Sequence, residues 1–415
     1  MSAWAVKPSA IPEASHVELG VPLPTRGDAP MPTNREINAM KRRFLPLAAI
    51  AALAAMQFAS AQAAETEFTA SAWLPPSHPV TKYGYTDWMK KIEEQSEGML
   101  KPQLFTGSAL LAPADHLSGV RDGIADFGWI SGTYTPSDIP EDNTIFQMAF
   151  VYTDYFVGSF AVTEFNMLDA QMQAQWKRNN IVYMSGFSTP PYKLICTSKI
   201  ESIDDIEGKK IRSTGGLLPE WVRGVGAVPV NVASSESYTG LEKGQLDCAT
   251  NAADDLRSRS YWDVAKDVTD VELGTYWSIN AGNRDFWQGL ETAQRKVFLD
   301  TMAETLVDTG IGYLSDVQEI VEEAKAKGVT FHAPGPSLAD SLSEFKTTAP
   351  EFAVQLGSEK LGVEGADELV ARFEKIADKW RDLLQDVDRT DRAALLDLLR
   401  KEVFDRVDPA TYSMN

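Results

Sequence analysis

Gly208-Lys209-Lys210-Ile211-Arg212-Ser213-Thr214-Gly215-Gly216 is the stretch on which the reading of this chain turns. Lys209–Arg212 is a short strand-like run. Ser213–Gly216 then makes a turn whose missing side chains leave room for a small guest. Leu217–Val225 follows with helical spacing, and Gly226 fits a helix C-terminus. An arginine at a strand end, beside a glycine pair, is placed to grip a carboxylate through two parallel N–H donors. Taken alone, these nine residues favour a surface arginine after a tight turn; the rest of the chain changes that reading.

Outward from this stretch the pattern is α/β throughout. On the N-terminal side, Phe68–Leu74, Pro102–Phe105 and Ala125–Ser131 read as strands. They alternate with helices at Lys82–Glu97, carrying Trp88, Met89 and Ile92 on one face, and at Ala114–Gly123, with Leu117, Val120 and Ile124 turned inward. That order predicts a mostly parallel sheet covered by helices. A helix over Val162–Arg178 and a strand over Ile181–Gly186 complete a first unit, residues 64–188. A second unit, 189–281, starts at Thr189-Pro190-Pro191. It runs through strands at Tyr192–Thr197, Lys209–Arg212, Val228–Val232 and Gln245–Thr250, with helices at Leu217–Val225, Ser237–Lys243 and Asp255–Lys266 and an extended run at Asp270–Ala281. Residues 291–327 read as one helix of roughly 55 Å at 1.5 Å per residue. That exceeds one lobe, so the helix is expected to span both, with a bend at Gly310 and Gly312. Residues 334–415 are helical, and Leu369, Phe373, Ile376, Trp380 and Leu383 recur at packing intervals.

The start of the chain carries an address. Met40-Lys41-Arg42-Arg43 is followed by fifteen apolar or near-apolar residues, Phe44–Phe58, and then by alternating small residues up to Ala63. This is the layout of a secretory signal peptide over 40–63, too short to span a bilayer, with cleavage after Ala63 or after Ala61. Residues 1–39, rich in proline, read as a non-native or disordered extension ahead of a start at Met40. Loss of residues 1–63 removes six basic and four acidic residues, so the formal charge of −20 becomes −22. Such acidity argues against nucleic acid or an anionic membrane as partner, and it makes any anionic ligand depend on a local cation. The two cysteines, Cys196 and Cys248, fall in strand-like runs; a disulfide and two separate buried thiols are both compatible with the sequence.

Several segments in fixed order resemble the solute-binding proteins of TRAP transporters, the DctP-like family. They are Trp73–Pro79, Trp88 to Gly98, Val120–Asp126, Ile206–Arg212, Gly226–Val230 and Ser235 to Asp247. The resemblance implies a two-lobed, periplasmic-binding-protein-like α/β fold with a ligand cleft between the lobes and a long helix bracing both. It implies capture of a small organic acid in the periplasm and its delivery to the membrane subunits of a TRAP permease. Arg212 matches the family's carboxylate-binding arginine, Asn251 an asparagine bordering the ligand, and Glu236 with Tyr238 a segment at the cleft edge. Where many members carry a second arginine, this chain has Lys193. Where members often have Glu-Asn-Pro, it has Thr250-Asn251-Ala252. The region beyond Pro334 is longer than the family pattern.

Aromatic residues at strand ends and in loops, Trp73, Trp129, Tyr134, Tyr276 and Trp277, are candidates for walls around an apolar ligand body. An enzyme finds little support. The four histidines, His16, His78, His116 and His332, show no metal-ligand spacing, and no serine lies in a Gly-x-Ser-x-Gly elbow. No cofactor motif or membrane span is present. The pair Asp254-Asp255 reads as solvated surface. A sensor-linked or ABC-type binding protein is the alternative use of the same fold.

Overall fold

The computed structural model describes residues 65–415. The expected extension (1–39) and export signal (40–63) lie outside the described residues. Two sheets organise the fold. The first has the strand order β2-β1-β3-β10-β4, built from β1 (Thr66–Ala72), β2 (Leu100–Thr106), β3 (Phe127–Ile130), β4 (Ile181–Ser188) and β10 (Trp277–Asn283). The second has the order β11-β9-β5-β8-β6-β7, from β5 (Lys193–Cys196), β6 (Lys210–Arg212), β7 (Val228–Val230), β8 (Cys248–Asn251), β9 (Asp267–Thr269) and β11 (Thr330–His332). Each sheet centres one lobe of a two-lobed α/β fold.

The first three strands are parallel, as their β-α-β-α-β order predicts, and the sheet becomes mixed only where β10 joins it. β1 runs parallel to β2 and β3, but β10 lies antiparallel between β3 and β4. The reason is the route of the chain. β10 returns from the second lobe, so it enters the sheet from the opposite end. Residues 270–276, expected as strand, are the returning segment. They are tied to the outgoing one by Thr189 N–H to Tyr276 O (3.0 Å) and Tyr192 N–H to Gly274 O (2.8 Å).

In the second lobe β5 shows why both sheet faces are covered. Leu194 and Cys196 point into one apolar cluster with Ile211, Leu217 and Trp221, while Ile195 points into another with Ala249, Leu256 and Val268. Such period-two alternation in the apolar run Leu194–Cys196 requires packing on both faces. Cys196 and Cys248 lie opposite each other across β5 and β8 and form a disulfide, their Cα atoms 4.1 Å apart. Two separate thiols are thereby excluded.

Local expectations fail in four instructive places. The helix expected over Val162–Arg178 is two, Tyr155–Leu168 and Ala170–Arg178. They split at Asp169, whose carboxylate accepts from Gln171 N and Met172 N and so caps the second. Asp255–Lys266 is a single helical turn, Asp255–Ser258, followed by a 3-10 turn and β9. Ile124 is 55% exposed, because the helix bearing Leu117 and Val120 ends at Arg121. The long helix, Thr292–Ala326, runs unbroken through Gly310 and Gly312. At Gly310 a Cβ would lie 2.5 Å from the Tyr155 ring and 2.7 Å from that of Phe156, so the glycine allows close packing instead of a bend.

This helix belongs to both lobes. Phe298, Met302, Leu306 and Tyr313 enter the core of the first, while Ile320 and Ala324 enter a core of the second. The chain then crosses back, and the helix Ala366–Leu384 packs Leu369, Phe373 and Trp380 into the first core, with the Trp380 indole N–H donating to Glu164 (2.7 Å). No helix among the described residues is long and apolar enough to cross a membrane.

Candidate ligand-binding site

Strand ends deliver the side chains of one cavity between the sheets. Arg212 closes β6, and its backbone is fixed by pairing with Ala249 and by Thr250 Oγ donating to Arg212 O (2.8 Å). The chain must turn at once; Gly215 takes a positive φ of 80°, and a side chain there would strike Phe146. The next helix is capped from outside, Gln147 Oε1 accepting from Gly216 N (3.1 Å) and Leu217 N (2.8 Å). The guanidinium is 1% exposed. Its Nε donates to Val232 O (3.2 Å), and Nη1 donates to Thr250 O (3.1 Å) and Asn251 Oδ1 (3.4 Å). All three acceptors are neutral. Arg212 is thus a buried cation held in place without a carboxylate partner among the described residues, which leaves its charge for a guest.

Around it the cavity is walled by aromatic rings. Trp73, just past β1, stacks on Trp129 of β3 at 5.2 Å, with its indole N–H on Trp129 O (3.2 Å). Tyr134 meets Trp73 edge-on. On the other side Tyr192 and Tyr276 stack at 5.8 Å, and the Tyr276 hydroxyl is held by Ser131 and Thr133. Asn251 lies at the end of β8 and donates from Nδ2 to Asp255 Oδ2 (2.6 Å). The four rings, Tyr134, Asn251 and Asp255 line the cavity with His78, Ser234, Arg259 and Tyr313. The buried Trp129 Nε1 has no acceptor among the described residues.

Six residues stand apart or behave differently from the expectation. Lys193 is drawn out of the cavity by its ion pair with Asp270 (2.5 Å). Trp277 packs against Tyr152 and Phe373 in the first core, away from this cavity. Glu236 is exposed, and Tyr238 is half-buried against a core of the second lobe. Asp254 and Asp255, expected on the surface, are buried. Asp255 is enclosed because it receives Arg259 (Nε to Oδ1, 2.8 Å), Ser258 (3.0 Å) and Asn251.

Arg259 is the residue the sequence reasoning missed. It replaces Lys193 as the second cation at the cavity. It donates to Asp255 and to Ser234 Oγ (3.0 Å), and its guanidinium sits 5.8 Å from the Trp73 ring centre. No local motif marks it; only its spacing of four from Asp255 hints at the pair.

Asp254 accepts from the Tyr313 hydroxyl (2.7 Å) and lies 3.2 Å from His78 Nε2. His78 Nδ1 accepts from Val80 N–H, capping the turn at Pro79–Thr81. Burial holds the imidazole far below its ordinary range, at about 3, with Asp255 opposing and Arg259 adding to the effect. Burial, then the nearby Asp255 charge, pushes Asp254 well above the usual carboxylate range. His78, Asp254 and Asp255 lie close enough to share a cation, within 4.8 Å of one another. Both Asp255 oxygens are already engaged and a guanidinium is adjacent, so the trio fits a buttress better than a metal centre.

A cleft between two α/β lobes, with a fixed cation and aromatic walls, defines a receptor for a small solute. The chain belongs to the bacterial extracellular solute-binding proteins of family 7, DctP, whose pattern matches residues 70–352, more than half of the sequence. It is 26% identical to the outer membrane transporter protein TsaT of Comamonas testosteroni over 338 residues, covering 79% of this chain and 96% of that one. It is 24% identical to the ectoine-binding periplasmic protein TeaA of Halomonas elongata over 262 residues, 63% of this chain and 76% of that one. Among solved structures, a TRAP solute-binding protein from Rhodoferax ferrireducens in complex with copurified benzoate superposes with a TM-score of 0.69 at 17% identity, covering 76% of this chain and 99% of that chain. A marine-metagenome TRAP solute-binding protein specific for aromatic acid ligands, holding 3-hydroxybenzoate, gives 0.68 at 19% identity with the same coverage. These likenesses establish the two-lobed fold.

Proposed function

We propose that this protein captures a small organic acid with a flat apolar or aromatic body and delivers it to a TRAP-type permease. The observation that carries the reading is Arg212, a buried guanidinium with neutral partners only, facing a cavity walled by Trp73, Trp129, Tyr192 and Tyr276. A carboxylate entering there exchanges water for a fixed charge and the N–H donors of Nη2, the guanidinium nitrogen left without a partner among the described residues. Asn251 steadies the guanidinium, and the rings enclose the apolar body. The relatives that hold benzoate and 3-hydroxybenzoate support an aromatic guest. Membership of the family supports delivery to a permease, and two membrane-subunit genes beside this one would be its genetic signature.

Export follows from the signal layout of residues 40–63. N-terminal sequencing of the periplasmic protein should begin at Ala64, or at Gln62; a mature chain starting before Met40 overturns that assignment. The ligand is tested by mass spectrometry of whatever is released from protein purified without refolding, followed by a thermal-shift screen of organic acids. Release of an uncharged compound, with no acid raising the melting temperature, would defeat the carboxylate reading.

A further inference from the structure

We infer that the cavity is built for a ligand bearing a single negative charge, and that Asp255 sets this limit by neutralising Arg259. The inference rests on the organic-acid reading above and narrows it. Four groups settle the charge of the cavity. Arg212 meets only neutral acceptors, so it contributes one uncompensated positive charge. Arg259 and Asp255 form a pair at 2.8 Å with side chains 8% and 6% exposed, and together contribute none. His78 and Asp254 face each other at 3.2 Å, close enough to share one proton. That pair is neutral wherever the proton sits, and burial favours the state with both groups uncharged. The lining tyrosines Tyr192, Tyr276 and Tyr313 are kept protonated by burial. The sum is one positive charge.

The four central residues form one chain of contacts. Arg259 binds Asp255, Asp255 binds Asn251 through its other oxygen (2.6 Å), and Asn251 accepts from Arg212. A carboxylate on Arg212 completes this network without disturbing it. A second carboxylate near Arg259 would have to compete with Asp255 at close range, in a site where unpaired charge is strongly disfavoured. Without the Asp255 charge, Arg259 would become a second anion anchor. The cavity is thereby distinguished from one for dicarboxylates, and the distinguishing residue is an acid, not the shared arginine.

The test is calorimetry with pairs of the same shape that differ by one charge: terephthalamate against terephthalate, and succinamate against succinate. Each is titrated in two buffers of unlike ionisation enthalpy to count protons. For the wild type, the monoanion of a pair should bind at least about tenfold tighter, and any diacid that binds should take up a proton. Asp255→Asn should shift the ratio at least about tenfold toward the diacid; a purely structural role would lower both affinities alike. Equal binding of both members by the wild type, with no proton uptake, overturns the inference and leaves the organic-acid reading intact, as does an unchanged ratio in a folded Asp255→Asn. Should that variant not fold, the wild-type ratio and proton count decide. If no acid binds in either pair or in the wider screen, the organic-acid reading itself fails and takes this inference with it.

Discussion

Arg212→Ala isolates the charge on which the functional reading stands. In the folded protein the guanidinium is 1% exposed and carries three hydrogen bonds to neutral acceptors. A docked carboxylate adds charge-assisted bonds, each of about 1.5–3 kcal/mol. Removing one partner of such a buried charge pair costs roughly 2–5 kcal/mol of binding. At 1.4 kcal/mol per decade this is a loss of roughly 30- to 5000-fold in affinity. Stability of the unliganded protein should move far less. The variant strands the Val232 and Thr250 carbonyls, yet it also removes a desolvated cation, and the two effects oppose each other. Arg212→Lys should recover only part of the affinity, because an ammonium cannot hold the Val232, Thr250 and Asn251 oxygens and reach the ligand at the same time. The assay is titration calorimetry with the acid identified from the purified protein, alongside thermal melts without ligand. Tight binding of that acid by a folded Arg212→Ala would refute the reasoning, since the ligand's charge would have to be met elsewhere.

Two further outcomes follow from the fold. Replacing Cys196 and Cys248 by alanine opens a link across 52 residues of sequence, and chain-entropy reasoning gives a loss of roughly 4 kcal/mol; an unchanged guanidinium midpoint would contradict it. His116 is buried between Ser71 and the Ala112 carbonyl, and burial lowers its imidazole to about 4 from 6.5. Its contribution is fully present above pH 6.5 and is lost as pH falls toward 4, at up to about 1.4 kcal/mol per pH unit. His116→Gln should flatten the acid limb of the stability–pH curve by that amount. Asp142, raised to about 7 by burial and then by Glu141, acts in the opposite sense over the same window, which is why the difference between the two proteins, and not the raw curve, is the measurement.

What the sequence disclosed depended on how local the cause was. Arg212 was legible because a strand end, a glycine turn and a helix start sit within one short stretch, and the structure places all three there. The long helix was legible from length and spacing alone. The direction of β10 was not, because it depends on which lobe the chain returns from. Arg259 and the burial of Asp254-Asp255 were hidden for a related reason. Two adjacent acids and an arginine on a short helical turn look solvated until Ser234, Asn251 and Tyr313, brought from distant segments, close over them. Lys193 drew notice because it stands where many family members carry a second arginine, but sequence position does not fix where a flexible ammonium goes, and here it pairs with Asp270.

The helix Thr292–Ala326 has a mechanical meaning beyond bracing. At 1.5 Å per residue its 35 residues make a rod of roughly 52 Å, seated at one end among Phe298 and Met302 and at the other among Ile320 and Ala324. Two of the other crossings, at residues 189–192 and 270–276, are non-helical segments that can swivel through small backbone rotations. The rod cannot swivel; it must flex. Helices curve without breaking their hydrogen bonds down to radii of roughly 60–100 Å, and an arc of that length then subtends roughly 30–50°. The helix therefore behaves as a leaf spring that caps how far the jaws can part and stores a restoring force toward their resting angle. Tyr313, on this spring and bonded to Asp254, ties its curvature to the wall of the cavity.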